Sequence, residues 1–200
     1  MEFFFVFQLL VLLFSVVVHE VSHGLMALEL GDHTARLAGR LTLNPLKHID
    51  PIGSVALPLL LSLIPGGVVF GWAKPVPYNP YNLKDPKKGG ALIALAGPAA
   101  NVVLALVFAL AYRAGGGFGA VEPLIASVII INIALAIFNL IPIPPLDGSK
   151  ILFWLLPRGT EAAQAFLERY GFIILLVLIF SGLNFLFPAV EFLFRLFVGV

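Results

Sequence analysis

FFFVFQLLVLLFSVVVHEVSH, residues 3–23, opens as an uncharged apolar run and closes on His19-Glu20-Val21-Ser22-His23. On a helix, residues four apart differ by about 40° in azimuth, so the two histidines face one point. His-Glu-x-x-His in that setting reads as two zinc ligands with a glutamate beside them to activate water. Carried on through the motif to Leu28, the run is long enough to cross a bilayer, and an ionisable group inside such a span is costly and points to function. The competing reading is a pair of buried or interfacial histidines, with Glu20 snorkelling to water.

Working outward, the whole chain matches a membrane setting. It has 200 residues, of which 60% are hydrophobic and 12% charged, with a mean hydropathy of +1.03. That composition describes an integral membrane protein, read here as one membrane-embedded domain over residues 1–200. There are no cysteines, so thiolate zinc sites, disulfides and thiol nucleophiles are excluded, and zinc must be held by His and carboxylate. The net charge of +1 and the lack of a Lys/Arg cluster shaped for a groove exclude a nucleic-acid partner. The early charge is Glu2 rather than a basic region, so the first apolar run is expected to be a retained span and not a signal peptide.

Helix one is expected over Phe3–Leu28, ended by Gly31-Asp32, with His19 ~14 Å in from its end at 1.5 Å per residue. From Thr34 to Leu43 residues alternate: Arg36, Ala38, Arg40 and Thr42 fall on one side, Leu37, Gly39, Leu41 and Leu43 on the other. This predicts a short strand or hairpin, either packing at the interface or capturing an extended substrate along its edge. Ala91–Tyr112 and Leu124–Ile141 are read as spans. Arg158–Arg169 is read as a helix lying at the interface, and Phe172–Val190 as the last apolar stretch, interrupted by Gly182 and Pro188. The expected fold is an all-α polytopic bundle of about four transmembrane helices, with a re-entrant segment at 52–73.

That last element comes from charge. Loops 29–51 and 74–90 and segment 149–170 hold ten of the twelve basic residues, which places all three on the cytoplasmic side. Two of them flank Ile52–Ala73, so this stretch should enter and leave on one side, broken at Pro65-Gly66-Gly67. Parity agrees. With one crossing (Ala91–Tyr112) and one re-entrant segment, the end of the next span returns to the level of His19 and His23. Asp147, at that proline-broken end, is then the third ligand candidate, against a plain turn role in Leu146-Asp147-Gly148.

His19-Glu20-x-x-His23 together with Asn139-x-x-Pro142-x-Pro144-x-x-Asp147-Gly148 resembles the site-2 protease family of intramembrane zinc metalloproteases. Gly97-Pro98-x-x-Asn101 and the loop Arg40–Pro51 are similar to the small prokaryotic members, and no stretch reads as a PDZ or CBS domain. The resemblance implies a prokaryotic cell membrane, one Zn²⁺ on His19, His23 and Asp147, Glu20 as proton carrier, and single-span membrane-protein substrates cut in or near their transmembrane segments. Asn139 is the candidate oxyanion donor, against a role in helix–helix hydrogen bonding. Asn101 is expected to be structural, His33 to have no role, and His48 to be a solvated loop residue unless it or Asp50 lines the entrance. Phe70-Gly71-Trp72-Ala73 followed by Lys74-Pro75-Val76-Pro77-Tyr78 is read as interfacial and part of a gate. Two other classes compete: a membrane zinc transporter or metal-binding protein, and a catalytically silent scaffold. A transporter gives no reason for a non-ligand carboxylate next to His19.

Overall fold

The opening apolar run forms one helix, α1 (Glu2–Glu29), in a computed structural model that describes residues 2–56, 59–60, 73–115 and 119–199. Its faces are inverted relative to a helix in water. Phe3, Phe14 and Leu25 are exposed, whereas Ser15, His19, Gly24 and Ala27 are buried against neighbouring helices. Lipid solvates large apolar side chains, so small and polar residues are left to make the contacts between helices.

The same rule builds the centre of the bundle. Asp85 accepts hydrogen bonds from the Lys87 and Lys88 N–H groups and Pro86 takes the first helical position, which starts α3 (Pro86–Ala114). Before it comes a single turn, α2 (Thr34–Leu37). Along α3 the buried positions Gly90, Ala94, Gly97, Asn101, Ala105 and Ala109 recur every three or four residues. This narrow stripe lets α1, α4 (Glu122–Asn139) and α5 (Asp147–Leu155) pack against one helix. Next come α6 (Glu161–Phe180) and α7 (Leu186–Val198), the latter packed on α3 and α4. Among the described residues, α1, α3, α4 and α6 are the helices long and apolar enough to cross a membrane.

Two sequence expectations are corrected. Thr34–Leu43 is not a strand. The Asp32 side chain accepts from the Thr34 N–H and hydroxyl, which starts α2, and the turn closes at Gly39, φ +63°, with Arg40 N–H donating to the Ala35 carbonyl. The alternation misled because burial does not follow it: Leu37 and Leu43 are exposed, whereas Arg40 is buried. The edge for β-addition falls with the strand. Nor is there a separate interfacial helix at 158–169. From Glu161 onward they run into the apolar stretch as α6, in which Gly171 lets the helix approach Pro144. A Cβ at Gly171 would sit 2.6 Å from the Pro144 carbonyl oxygen. The apolar stretch is broken later, at Gly182, φ +94°.

The re-entrant expectation falls mostly on residues outside those described, as do Phe70–Trp72 of the expected gate. The flanks of the stretch meet: Lys74 N–H donates to the His48 carbonyl at 2.8 Å.

Candidate metal centre

His19 and His23 project from α1 towards the Gly97 turn of α3, and Asp147 enters from the first turn of α5. Their ligand atoms all lie within 4.8 Å of one another. Asp147 Oδ2 is 3.1 Å from His19 Nε2 and 3.2 Å from His23 Nε2. Local chemistry explains each placement. His19 Nδ1–H donates to Asn101 Oδ1 at 2.6 Å, and His23 Nδ1–H donates to the Ile93 carbonyl at 2.6 Å. With Nδ1 holding the proton, a neutral imidazole carries its lone pair on Nε2, and both lone pairs point at the carboxylate. Three electron-pair donors converging in a buried place call for a cation, and two nitrogens with one oxygen form the set a catalytic zinc uses. The site therefore fits zinc.

Three features shape this convergence. Gly97 leaves room for the rings: a Cβ there would lie 2.5 Å from His23 Cε1 and 2.6 Å from His19 Nε2. Pro98, next to it, cannot donate to the Ala94 carbonyl, and this irregular turn faces the imidazoles. Gly148 lets α5 start hard against the preceding turn, where a Cβ would overlap the Leu140 carbonyl and lie 2.6 Å from that of Ile141.

Behind His19 lies a polar network that sequence spacing does not reveal. Asn101 Nδ2 donates to Asn132 Oδ1 (2.9 Å) and the Ser15 carbonyl (3.3 Å), and Asn132 Nδ2 donates to Ser15 Oγ (3.0 Å). Asn101 and Asn132 are fully buried. A signal for them exists, since amides inside apolar spans need partners, but no spacing rule names the partner.

Glu20 is not in the convergence; its Oε2 accepts from the Val76 N–H at 2.8 Å. Asn139 lines the same cavity, of about 300 Å³, with Nδ2 donating to the Leu135 carbonyl of its own helix at 2.9 Å. Among the described residues it thus makes no helix–helix hydrogen bond, and its second N–H is not committed to Leu135. Val16, Leu135 and Phe138 give the cavity apolar walls, and Lys150, 5.1 Å from the Tyr78 ring centre, lines it too.

The remaining loop residues sit away from the metal cluster. His48 is buried rather than solvated, its Nε2 donating to the Thr42 carbonyl at 2.9 Å. Asp50 accepts from the N–H groups of Ile52 and Gly53 at the start of a π-helical turn, Pro51–Ala56. His33 is exposed before α2. Outside the spans, burial pushes the Asp32 carboxyl up. Hydrogen bonds from Thr34, Asn82 and Asn79 outweigh this and hold it below the ordinary aspartate value.

Apolar helices gathered round a His–His–Asp cluster, with a glutamate at its side, define a class: the membrane-embedded metallopeptidases. Comparison with known proteins gives the family. Residues 116–178 match the model of Peptidase family M50. The chain is 38% identical to "Putative zinc metalloprotease YwhC" of Bacillus subtilis, over 89% of this chain and 82% of that protein. It is 34% identical to "Putative zinc metalloprotease Rip2" of Mycolicibacterium smegmatis, over 84% of this chain and 64% of the relative. For the Rip2 of Mycobacterium tuberculosis H37Rv the values are 31%, 83% and 63%, so the chain spans just under two thirds of the Rip2 proteins. The chain belongs to peptidase family M50, the site-2 protease family. No solved structure matches it.

Proposed function

We propose that this protein is a zinc-dependent intramembrane endopeptidase that hydrolyses a peptide bond in or near a transmembrane segment of a single-span membrane protein. The observation that carries the reading is the convergence of His19 Nε2, His23 Nε2 and Asp147 Oδ2, with both Nδ1–H groups tied off elsewhere. His19, His23 and Asp147 would hold Zn²⁺, which supplies Lewis acidity and a nucleophilic water at neutral pH. Glu20 takes the proton from the attacking water and later delivers it to the leaving amine. Asn139 offers its free amide N–H to the developing oxyanion from the cavity wall. The apolar walls accept side chains of a membrane segment. A helical segment hides its backbone in i to i−4 hydrogen bonds, so the substrate must unwind before its carbonyl can be attacked.

The distribution of basic residues supports a site towards the cytoplasmic face of a prokaryotic cell membrane. The hydrogen bond between the two flanks, His48 and Lys74, supports a 52–73 segment that enters and leaves on that same side. The test compares wild type with Glu20→Gln, purified in detergent, for zinc content and for cleavage of a panel of single-span substrates. One zinc per chain in both, with cleavage by wild type alone, is the expected result. Zinc in both with cleavage by neither would move the reading to a transporter or scaffold. A wild type without zinc would remove the ligand assignment.

A further inference from the structure

We infer that Ala73–Asn79 is a fixed strap whose Val76 N–H orients the Glu20 carboxylate, and that Arg40 and Asp32 are positioning residues holding the strap at its two ends. The inference rests on the reading of Glu20 as proton carrier and explains how a flexible side chain would be held ready.

The sequence of the strap restricts what it can bond. Pro75 and Pro77 have no N–H, so Val76 carries the one backbone donor between Lys74 and Tyr78. That donor goes to Glu20 Oε2 at 2.8 Å. One carboxylate oxygen is thereby anchored and the other is left to take a proton. The Val76 side chain is buried and packs towards Gly24, one turn beyond Glu20 on α1, where a Cβ would come within 2.9 Å of it.

Both ends are fixed by buried charge. Arg40 is only 7% exposed. Its guanidinium donates to the carbonyls of Lys74 (2.6 Å), Pro75 (3.2 Å) and Lys47. Asp32 is 0% exposed. Its Oδ2 accepts from the Asn79 N–H at 2.7 Å, and its Oδ1 accepts from Asn82 Nδ2 at 2.7 Å. Burying a guanidinium and a carboxylate is costly unless each is well hydrogen-bonded. Here each is bonded to the backbone of the strap, three residues or fewer from Val76. Two costly groups on either side of one N–H make geometric sense if that N–H must be placed accurately.

Hydrogen exchange tests the contact without any substrate. In the full chain, loaded with zinc in detergent, the Val76 amide is the one exchangeable backbone site in Pro75–Pro77. It should exchange slowly in wild type. Glu20→Ala should speed it at least about tenfold, the loss of one hydrogen bond to a charged group. Arg40→Lys keeps the charge but loses the fork, and should speed it too, with zinc content unchanged. In cleavage, Val76→Pro should lower kcat by about 10- to 100-fold, as misplacement by about 1 Å does, with zinc retained. Val76→Ala keeps the N–H but trims a residue that also lines the cavity, so it should raise KM more than it lowers kcat.

Unchanged Val76 exchange in Glu20→Ala, with zinc content and melting temperature intact, would overturn the strap. So would wild-type kcat in Val76→Pro. Cleavage by Glu20→Gln at the wild-type rate would instead sink the proton-carrier reading, and the exchange data would still decide the contact.

Discussion

Gly97→Ala separates packing from metal binding at the centre of this molecule. The added Cβ would stand 2.5 Å from His23 Cε1 and 2.6 Å from His19 Cε1 and Nε2. Carbon atoms settle at about 3.5–4.0 Å, so the imidazoles or α3 must retreat by about 1 Å. The rings have little room to do so, because Asn101 and the Ile93 carbonyl hold their far sides. Stability should fall by about 2.5 kcal/mol at most. Overpacking costs about 1–3 kcal/mol, and replacing glycine by alanine inside a helix returns about 0.5–1 kcal/mol. The metal site should change as well, because both imidazoles are displaced together; a zinc affinity about 10- to 100-fold weaker is expected, the range seen when ligand orientation is disturbed. The assay is competition for zinc against a chelator of known affinity, beside thermal unfolding of the zinc-free protein. A variant with wild-type affinity would refute the reasoning, since the ligands could not then occupy the place the structure gives them. Loss of folding in the zinc-free variant would show that α3 packs too tightly to accept the methyl group at all.

Two other outcomes are expected. Asn101→Ala leaves His19 Nδ1–H without its acceptor and cuts the link to Asn132, so zinc affinity should fall about 10- to 100-fold, whereas Asn101→Asp, which keeps an acceptor oxygen, should retain more of it; chelator competition measures both. Asp32 gives a pH signature. Its carboxyl is held below the ordinary value of 3.8 in the folded protein, so its contribution is complete above the unfolded pKa and is lost as pH falls through the folded one. The melting-temperature gap between wild type and Asp32→Asn should be constant above about pH 5 and close below the unfolded value, as a pH series of thermal unfolding would show.

Part of the site is legible in the order of residues alone. A carboxylate and two histidines inside an apolar run cannot be explained by solvation, so His19, Glu20 and His23 stand out. Asp147 joins them as a candidate when the crossings are counted with 52–73 taken as re-entrant. Sequence patterns mislead where burial departs from them. Thr34–Leu43 alternates like a strand, yet Asp32 starts a helical turn there and Arg40 is drawn inside by carbonyls more than thirty residues away. Arg158–Arg169 reads as a helix of its own, yet Glu161–Arg169 continues through Gly171, packed on Pro144, into the apolar stretch.

Hydropathy and the 3.6-residue period are local properties of the chain. For that reason the primary structure was enough to establish the solvent of this protein, the helical nature of its spans, and the chemical types at its centre. The groups that hold those residues in place emerge only from the packed helices: Asn101 behind His19, the Ile93 carbonyl behind His23, Gly97 beneath both, and the Val76 N–H on Glu20. Each of those pairings joins residues more than fifty positions apart. A hydrogen bond or a missing Cβ acts over a few ångströms of space, and separation along the chain does not reveal which distant groups the packing of the helices will bring within that reach.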